Sequence, residues 1–385
     1  MLPAFSRGYI PHGIPRDTVT ISEVTATNTS GSVQATVTVN VTNVPPPTVV
    51  AGQRFAAFDN ASNGTILGTL QANRAVTGWS LAAGPFSVDS AGVLTKSGTL
   101  NAGTQALYTL NATATDVEGS STPVAITIDV IAAGATYDPG GAGAVGYWDP
   151  ADSGHRTTSG APTQIDALAN ILATSGYALN RVNAQSLTTS PLLGVANMGT
   201  IDSAIIADKA QLAAVAGSAL KGAAQNVSAF FFEGMIELTA ELASEIIRFS
   251  TNGSAGSSRF AMRTDVATGA PRLQLVTRRL DADTAITLTH SMDLHASTRY
   301  YIAGGVLFST GSAFLIVNGV IETFALTFTS GNGNSQNSAS NGVFLGYSNS
   351  ILSYEKIGKF AIYQAIPDEA KRNKNAAILR ALYGA

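Results

Sequence analysis

An Asn-Gly pair at positions 318 and 319 sits between two apolar runs, Phe314-Leu-Ile-Val317 and Val320-Ile-Glu-Thr-Phe324. A two-residue hairpin in a type I′ turn needs positive φ at both central positions, which Asn-Gly adopts at low steric cost. The stretch therefore predicts a tight β-hairpin. Around it, Tyr300–Phe308, Gly342–Tyr347 and Ile357–Tyr363 are strand-length apolar runs bounded by turn residues. Upstream, Ala229–Leu238, Ile246–Phe249, Ser258–Arg263, Arg272–Arg278 and Thr284–Thr289 read as antiparallel strands. Thr163–Asn170 is predicted as a helical turn, Ser330–Gly342 as a long exposed loop, and Trp148 as a core residue. Pro367-Asp368-Glu369 opens a short amphipathic helix that closes the chain.

The runs YYIAGGV, FLIVNGV and VFLGYSN, followed by KIGKFAIYQAIPDEAKRNKNAAILRALYG, resemble the concanavalin A-like, laminin-G-like jelly roll. In that family the last strand leads into a short helix that often ends on a Tyr-Gly pair, as Tyr383-Gly384 does here. Tyr147-Trp-Asp-Pro-Ala-Asp-Ser153 also resembles the start of jelly-roll domains in virion proteins of tailed phages. The resemblance covers roughly residues 147–385 and implies fold more than chemistry. Its members include lectins, adhesion modules, glycosidases and structural pieces.

The preceding half is organised differently. Residues 1–44 read as an arm and a hairpin for anchoring or oligomerisation, with Phe5, Tyr9 and Ile10 as the apolar anchoring residues. From Thr18 to Thr42 apolar and polar residues alternate about a turn at Thr27–Gly31. A lone hairpin is marginal in water, so its apolar face needs cover from another domain, copy or partner. Residues 45–50 follow as a proline linker. Residues 51–131 carry strand signals about every ten positions, the spacing of a β-sandwich, and resemble a cadherin/Ig-like repeat. Of that family's calcium ligands Asp116 is matched, but Asn101–Gln105 and Ala132–Ala135 replace its acidic segments. Calcium takes six to eight oxygens, so calcium is possible but not supported, and the unit reads as a spacer.

Residues 132–146 form a Gly-rich linker in which Gly141-Ala-Gly-Ala-Val-Gly146 matches the dinucleotide fingerprint. That motif works only between a strand and a helix, with pyrophosphate at the helix N-terminus. Tyr137-Asp-Pro before it and Tyr147-Trp-Asp-Pro after it supply neither element, and the match is rejected.

Only 12% of the residues are charged and the net charge is −3, so no basic face is available to neutralise phosphates. Nucleic-acid binding is therefore not expected. The absence of cysteine excludes disulfides and thiolate metal sites. No apolar run approaches the ~20 residues of a membrane-spanning helix, and membrane insertion is not expected. The first residues lack the basic-then-apolar pattern of a secretory signal, so release with an assembled particle is the expected route.

Chemistry is sparse. Glu233, Glu237, Glu241 and Glu245 recur every fourth residue. On a strand neighbours in that row lie ~13 Å apart, beyond the ~5–9.5 Å of glycosidase pairs, so they read as a solvated face and turn. His12, His155, His290 and His295 have no metal-ligand or catalytic spacing and read as surface or packing residues. No nucleophile elbow is present. No catalytic residues, metal site or cofactor are assigned, and an enzyme is not expected.

Carbohydrate recognition calls for aromatic faces with planar amide and guanidinium groups on loops. Tyr177, Arg263, Arg278, Tyr347 and Asn349 are of that kind.

Together the all-β layout resembles a virion surface spike or fibre of a tailed phage or gene transfer agent. That resemblance implies N-terminal attachment to a capsid or tail protein and a lectin-like head on host capsular or surface polysaccharide. It also implies a homo-oligomer at the virion surface, whose repeated weak sites gain avidity. Alternatives are a decoration protein without glycan binding, a glycan-degrading tailspike and a secreted adhesin.

Overall fold

The computed structural model describes residues 19–28, 31–39, 44–141, 143–150, 152, 154–159, 164–172, 179–181, 188–189, 196–197, 212–214, 219–238, 240–250, 258–266, 269–336, 342–345 and 355–385. They are nearly all β, with one α-helix at the C-terminal end.

β1 (Val19–Asn28) and β2 (Gly31–Val39) form a two-stranded antiparallel sheet of their own. Val19 faces Val39, Ile21 faces Val37, and beyond a bulge Val24 faces Ala35 and Ala26 faces Val33. The bulge re-phases the alternation, which keeps the apolar positions of both strands in register.

The next unit is a small sandwich. It uses β3 (Arg54–Phe58), β4 (Ile66–Thr69), β5 (Gly78–Leu81), β6 (Phe86–Val88), β7 (Val93–Lys96), β8 (Leu107–Asp116), β9 (Gly119–Ser120) and β10 (Val124–Ile131). One sheet runs β3-β10-β8-β5 and the other β4-β7-β6, with β3 parallel to β10. Phe55, Leu67, Leu94, Leu110, Ile126 and Ile128 fill the space between them.

The largest unit begins with β11 (Ala144–Trp148), β12 (Arg156–Ser159) and β13 (Gln164–Leu168). Where a helical turn is expected at 163–170, Gln164–Leu168 is thus a strand. β13 pairs with β12 as a hairpin and also with β14 and β15, and that pairing outweighs a weak local preference. β14 to β17 are short (Leu179–Arg181, Thr188–Thr189, Ala196–Asn197, Leu212–Ala214). Longer strands follow: β18 (Ala229–Leu238), β19 (Ser244–Ser250), β20 (Ser258–Asp265), β21 (Arg272–Thr277) and β22 (Ile286–Asp293). β23 (Arg299–Leu307), β24 (Ser312–Val317), β25 (Val320–Ala325), β26 (Gly342–Leu345) and β27 (Glu355–Tyr363) complete the set before α1 (Glu369–Tyr383).

Pairing arranges these as two layers. The back layer runs β25-β24-β23-β18-β27-β11, and the front layer runs β22-β21-β20-β19-β26-β17. Between them lies a core that includes Phe230, Phe232, Phe260, Met262, Leu275 and Phe360, and Trp148 stacks on Phe360.

Every residue of β18 is buried. Its even positions face this core, while Phe231 joins Tyr301, Phe314, Tyr363 and α1 in a second core behind the sheet. Burial on both faces is why Ala229–Leu238 reads as a continuous apolar run rather than an alternating one. α1 starts at Asp368, whose carboxylate accepts the Lys371 N–H at 2.8 Å. It ends at Gly384, in the left-handed conformation with φ +66°. This helix is not long and apolar enough to cross a membrane.

The Asn318-Gly319 turn has φ of +46° and +91°, as a type I′ hairpin requires, and Val317 pairs with Val320. The turn also touches the sandwich. The Arg54 N–H donates to the Asn318 carbonyl at 3.1 Å.

Asp129 ties the same junction through three hydrogen bonds from two arginines. Arg54 grips it through Nε and NH2, both at 2.7 Å, and Arg380 of α1 donates from NH2 at 3.1 Å. The Gly/Ala-rich segment between the units is docked as well. Asn375 donates to the Asp138 carbonyl at 3.0 Å, and the Gln364 N–H to the Gly143 carbonyl at 2.7 Å. Within the fingerprint-like Gly141–Gly146 stretch, β11 begins at Ala144 and no helix follows.

Candidate functional site

Phe5, Tyr9, Ile10, Tyr177, Tyr347 and Asn349 lie outside the described residues. Arg263 and Arg278 are described, Arg263 on β20 of the front layer and Arg278 just past the end of the neighbouring β21. Arg263 on β20 pairs with Gln274 on β21, and Arg278 lies four residues beyond Gln274, roughly 13 Å along the chain.

Arg263 is half-buried, and its Nε donates to Gln274 Oε1 at 2.9 Å. Gln274 in turn donates from Nε2 to Asp265 Oδ2 at 3.0 Å and to Thr289 Oγ1 at 3.1 Å. Arg272, two positions along β21, donates from Nε to Asp293 Oδ1 at 2.6 Å. Residues two apart on a strand share a face, so these groups form one polar face over β20, β21 and β22, in which Gln274 itself is buried. On β22 the exposed partners of that surface are Thr287, Thr289 and Ser291, with Asp293 half-buried at the end. Their alternates Leu288, His290 and Met292 are buried. The alternation arises because one face packs on the core and the other meets water.

Arg278 is engaged elsewhere. Its NH1 donates to the Asp281 carbonyl at 2.9 Å and its NH2 to Asp281 Oδ1 at 3.2 Å. Arg259 donates to the same carboxylate at 2.6 Å, so Asp281 gathers two guanidinium groups. Burial, with the Arg259 charge adding to it, lowers the Arg278 pKa. The described part of the 330–342 segment is also tied down. Ser335 is buried, and its Oγ donates to the Ala224 carbonyl at 2.9 Å.

The glutamate row departs from the solvated face expected of it. Glu233, Glu237 and Glu245 are buried and only Glu241 is exposed. Burial on both faces of β18, which the spacing of the acids does not reveal, is the cause for Glu233 and Glu237, while Glu245 is buried on β19. Glu233 accepts from Tyr137 (2.9 Å), Tyr363 (2.8 Å), Tyr301 (3.0 Å) and Asn375 (3.1 Å). Burial pushes its pKa up while those four donors oppose the rise. Burial would also raise Glu237, but bonds from Lys356 at 2.7 Å and Arg299 at 3.0 Å outweigh it and hold its pKa low. A glutamate inside the run Phe230-Phe-Phe-Glu-Gly-Met-Ile236 is the signal that could have identified this cluster. A carboxylate in a doubly buried strand must find partners.

Other carboxylates are likewise committed. Asp116, the residue matched to a calcium ligand, accepts from Arg74 Nε and from the Glu118 N–H, each at 2.8 Å. Asp149 pairs with Lys359, and Asp152 lies 2.8 Å from His155 Nδ1. Among the described residues no group of three or more His, Asp or Glu is placed to hold a metal ion. His290 is buried, with Nδ1 accepting the Met292 N–H at 3.1 Å and Nε2 lying 3.2 Å from the Val320 carbonyl. His295 is partly exposed beside Glu241, at 3.1 Å.

No protein-family model matches the chain, and no curated protein matches it. Among solved structures it is similar to the binding domain of botulinum neurotoxin DC in complex with SialylT. The identity is 13%, over 60% of this chain and 52% of that one, with a TM-score of 0.40. It is also similar to a mouse cadherin-23 fragment (22% identity, 28% and 38% of the chains, TM-score 0.21). A third is the sialidase CBM40 of Ruminococcus gnavus bound to α2,3-sialyllactose (13% identity, 42% and 88%, TM-score 0.33). The chain spans about half the length of the neurotoxin binding domains it matches. None of these similarities assigns the chain to a family.

Proposed function

We propose that this chain is a carbohydrate-binding spike or fibre at the surface of a tailed phage or gene transfer agent. On this reading its N-terminal region attaches to a capsid or tail protein, and its jelly roll binds host surface polysaccharide. The supporting observation is the polar surface of β20, β21 and β22. There Arg263, Gln274 and Asp265 are fixed by one another within 3.0 Å beside the exposed hydroxyls of Thr287, Thr289 and Ser291. Planar groups already held in place lose little side-chain freedom on binding, which suits a ligand bristling with hydroxyls.

The attachment end has a separate motive. Among the described residues the β1–β2 sheet pairs with no other strand, and an isolated two-stranded hairpin is marginal in water. A neighbouring copy or a particle protein would complete it. A binding role is favoured over an enzymatic one because the carboxylates of β18 are consumed by hydrogen bonds within the fold. The rival decoration role predicts no affinity for glycans.

The test is retention of the full chain on purified host capsular polysaccharide, with Arg263→Ala and Gln274→Ala alongside. Specific retention supports the reading, and indifference to the host polysaccharide favours the decoration role. Shortening of the polysaccharide would replace binding by cleavage. Localising the chain on intact particles by electron microscopy tests the attachment end.

A further inference from the structure

The sandwich and the jelly roll meet along an open cleft of about 440 Å³, within the ~300–1,000 Å³ typical of small-molecule sites. One wall is the segment from β4 to β5, with Gln71, Asn73, Arg74 and Trp79. The other is the end of β22 and the turn after it, with Asp293 and His295. Apart from His295, which reads from the sequence as a surface or packing residue, none of these six stands out in the sequence, because the cleft exists only where two domains abut.

Trp79 is half-buried, and its indole packs over Gly92. Gly92 has φ +85°, and a Cβ there would lie 2.8 Å from the Trp79 Nε1, so only glycine leaves room for the ring. The indole N–H has no acceptor among the described residues, and neither has the Gln71 carboxamide a partner there. A tryptophan in a packed region usually finds an acceptor for its N–H. Asn73 Oδ1 is fixed by the Thr48 N–H at 2.8 Å.

The charged groups of the cleft arrive already paired. Arg74 is held by Asp116 at 2.8 Å and by the Pro45 carbonyl at 2.6 Å. Asp293 is held by Arg272 at 2.6 Å, and His295 by Glu241 at 3.1 Å.

We propose that this cleft binds a neutral saccharide unit. A sugar ring presents a C–H face to an aromatic ring and a rim of hydroxyls that both donate and accept. Trp79 offers the apolar face and one free N–H, Gln71 and Asn73 offer amides, and Asp293 and His295 offer fixed acceptors. Because every guanidinium here has its carboxylate, the cleft carries no surplus positive charge to select an acidic sugar. Asp293 also ends the outward row of β22, so a chain leaving the cleft meets Ser291, Thr289 and Thr287 on the polar surface already described. The inference rests on the carbohydrate-binding reading and gives it a location between the two domains.

The protein has two tryptophans, and Trp148 is only 1% exposed, so a saccharide-induced change in emission reports Trp79. The full chain is titrated with oligosaccharides of dextran, mannan and galactan, with alginate oligosaccharides as the acidic comparison. Retention on the host polysaccharide is measured in parallel. A neutral glycan is expected to shift the emission and shield it from acrylamide. Trp79→Ala, and the cleft-filling Ala91→Trp as a variant that removes nothing, are each expected to weaken retention at least tenfold. Circular dichroism checks that both fold.

Wild-type retention by both folded variants would overturn the cleft and leave the carbohydrate reading standing. A preference for alginate would overturn the neutral-sugar assignment. Failure of the wild-type chain to retain any of these glycans would overturn both readings.

Discussion

The Tyr137 hydroxyl, in the segment joining the two domains, donates at 2.9 Å to Glu233, a carboxylate with no exposed surface at the centre of β18. Tyr301, Tyr363 and Asn375 complete the shell, so linker, back sheet and terminal helix converge on one carboxylate. Glu233→Ala strands four donors at once and is expected to cost about 3–5 kcal/mol, by analogy with breaking a buried pair. Tyr137→Phe removes a single donor and should cost about 1 kcal/mol. Urea denaturation of the full chain measures both. Equal effects from the two variants would count against a shared carboxylate hub.

Asp129 makes a second prediction at the domain junction. Arg380 is almost fully buried, and burial lowers its pKa to about 10 although Asp129 opposes the shift. Asp129→Ala leaves that guanidinium without its carboxylate and is expected to destabilise by about 3–5 kcal/mol. It also frees Arg54, so the sandwich and the jelly roll should unfold in separate calorimetric steps. A single unshifted transition would refute the role given to Asp129.

Two glycines give a matched comparison. Gly331 has φ +77° and open space around a would-be Cβ, so Gly331→Ala should cost only the left-handed strain of about 1–2 kcal/mol. Gly319 has φ +91°, and its Cβ would lie 2.5 Å from the Arg54 Cβ. Gly319→Ala should therefore be the more damaging of the two, because it also pries the hairpin tip off the sandwich. Thermal melts of the pair decide this.

His290 sets a pH dependence whose sign follows from its surroundings. Burial lowers its pKa, and the nearby Glu322 carboxylate only partly offsets that. The unfolded chain takes up this proton near 6.5 and the folded chain only at lower pH. Stability should therefore be steady above about pH 6.5 and fall as the pH drops below it, until the folded histidine also protonates. His290→Gln should lack that part of the slope. Urea midpoints for both proteins between about pH 7.5 and pH 5 test the difference.

Much of the strand layout could be read locally. The Asn318-Gly319 pair needs positive φ whatever surrounds it, and the turn adopts it. Ala229–Leu238 is a strand at the expected bounds, and Asp368 and Gly384 cap the last helix. Thr163–Asn170 went the other way because the pairing of β13 with β12 is set from outside the segment. The glutamates of β18 and β19 were misread for a related reason. Spacing along a strand says which residues share a face, but not whether a second layer covers it.

The amino-acid order by itself determined the turns, the caps and the apolar runs, since each depends on dihedral preferences and hydrophobicity within a few residues. Only the tertiary structure decided that Glu233 is enclosed by tyrosines from separate segments and that Arg54 and Arg380 share Asp129. It also decided that Trp79 and Asp293 line the same cleft. Those relationships join residues up to 251 positions apart. The physical reason is that burial and partnership are properties of packed surfaces, and a linear chain does not carry them until its layers close.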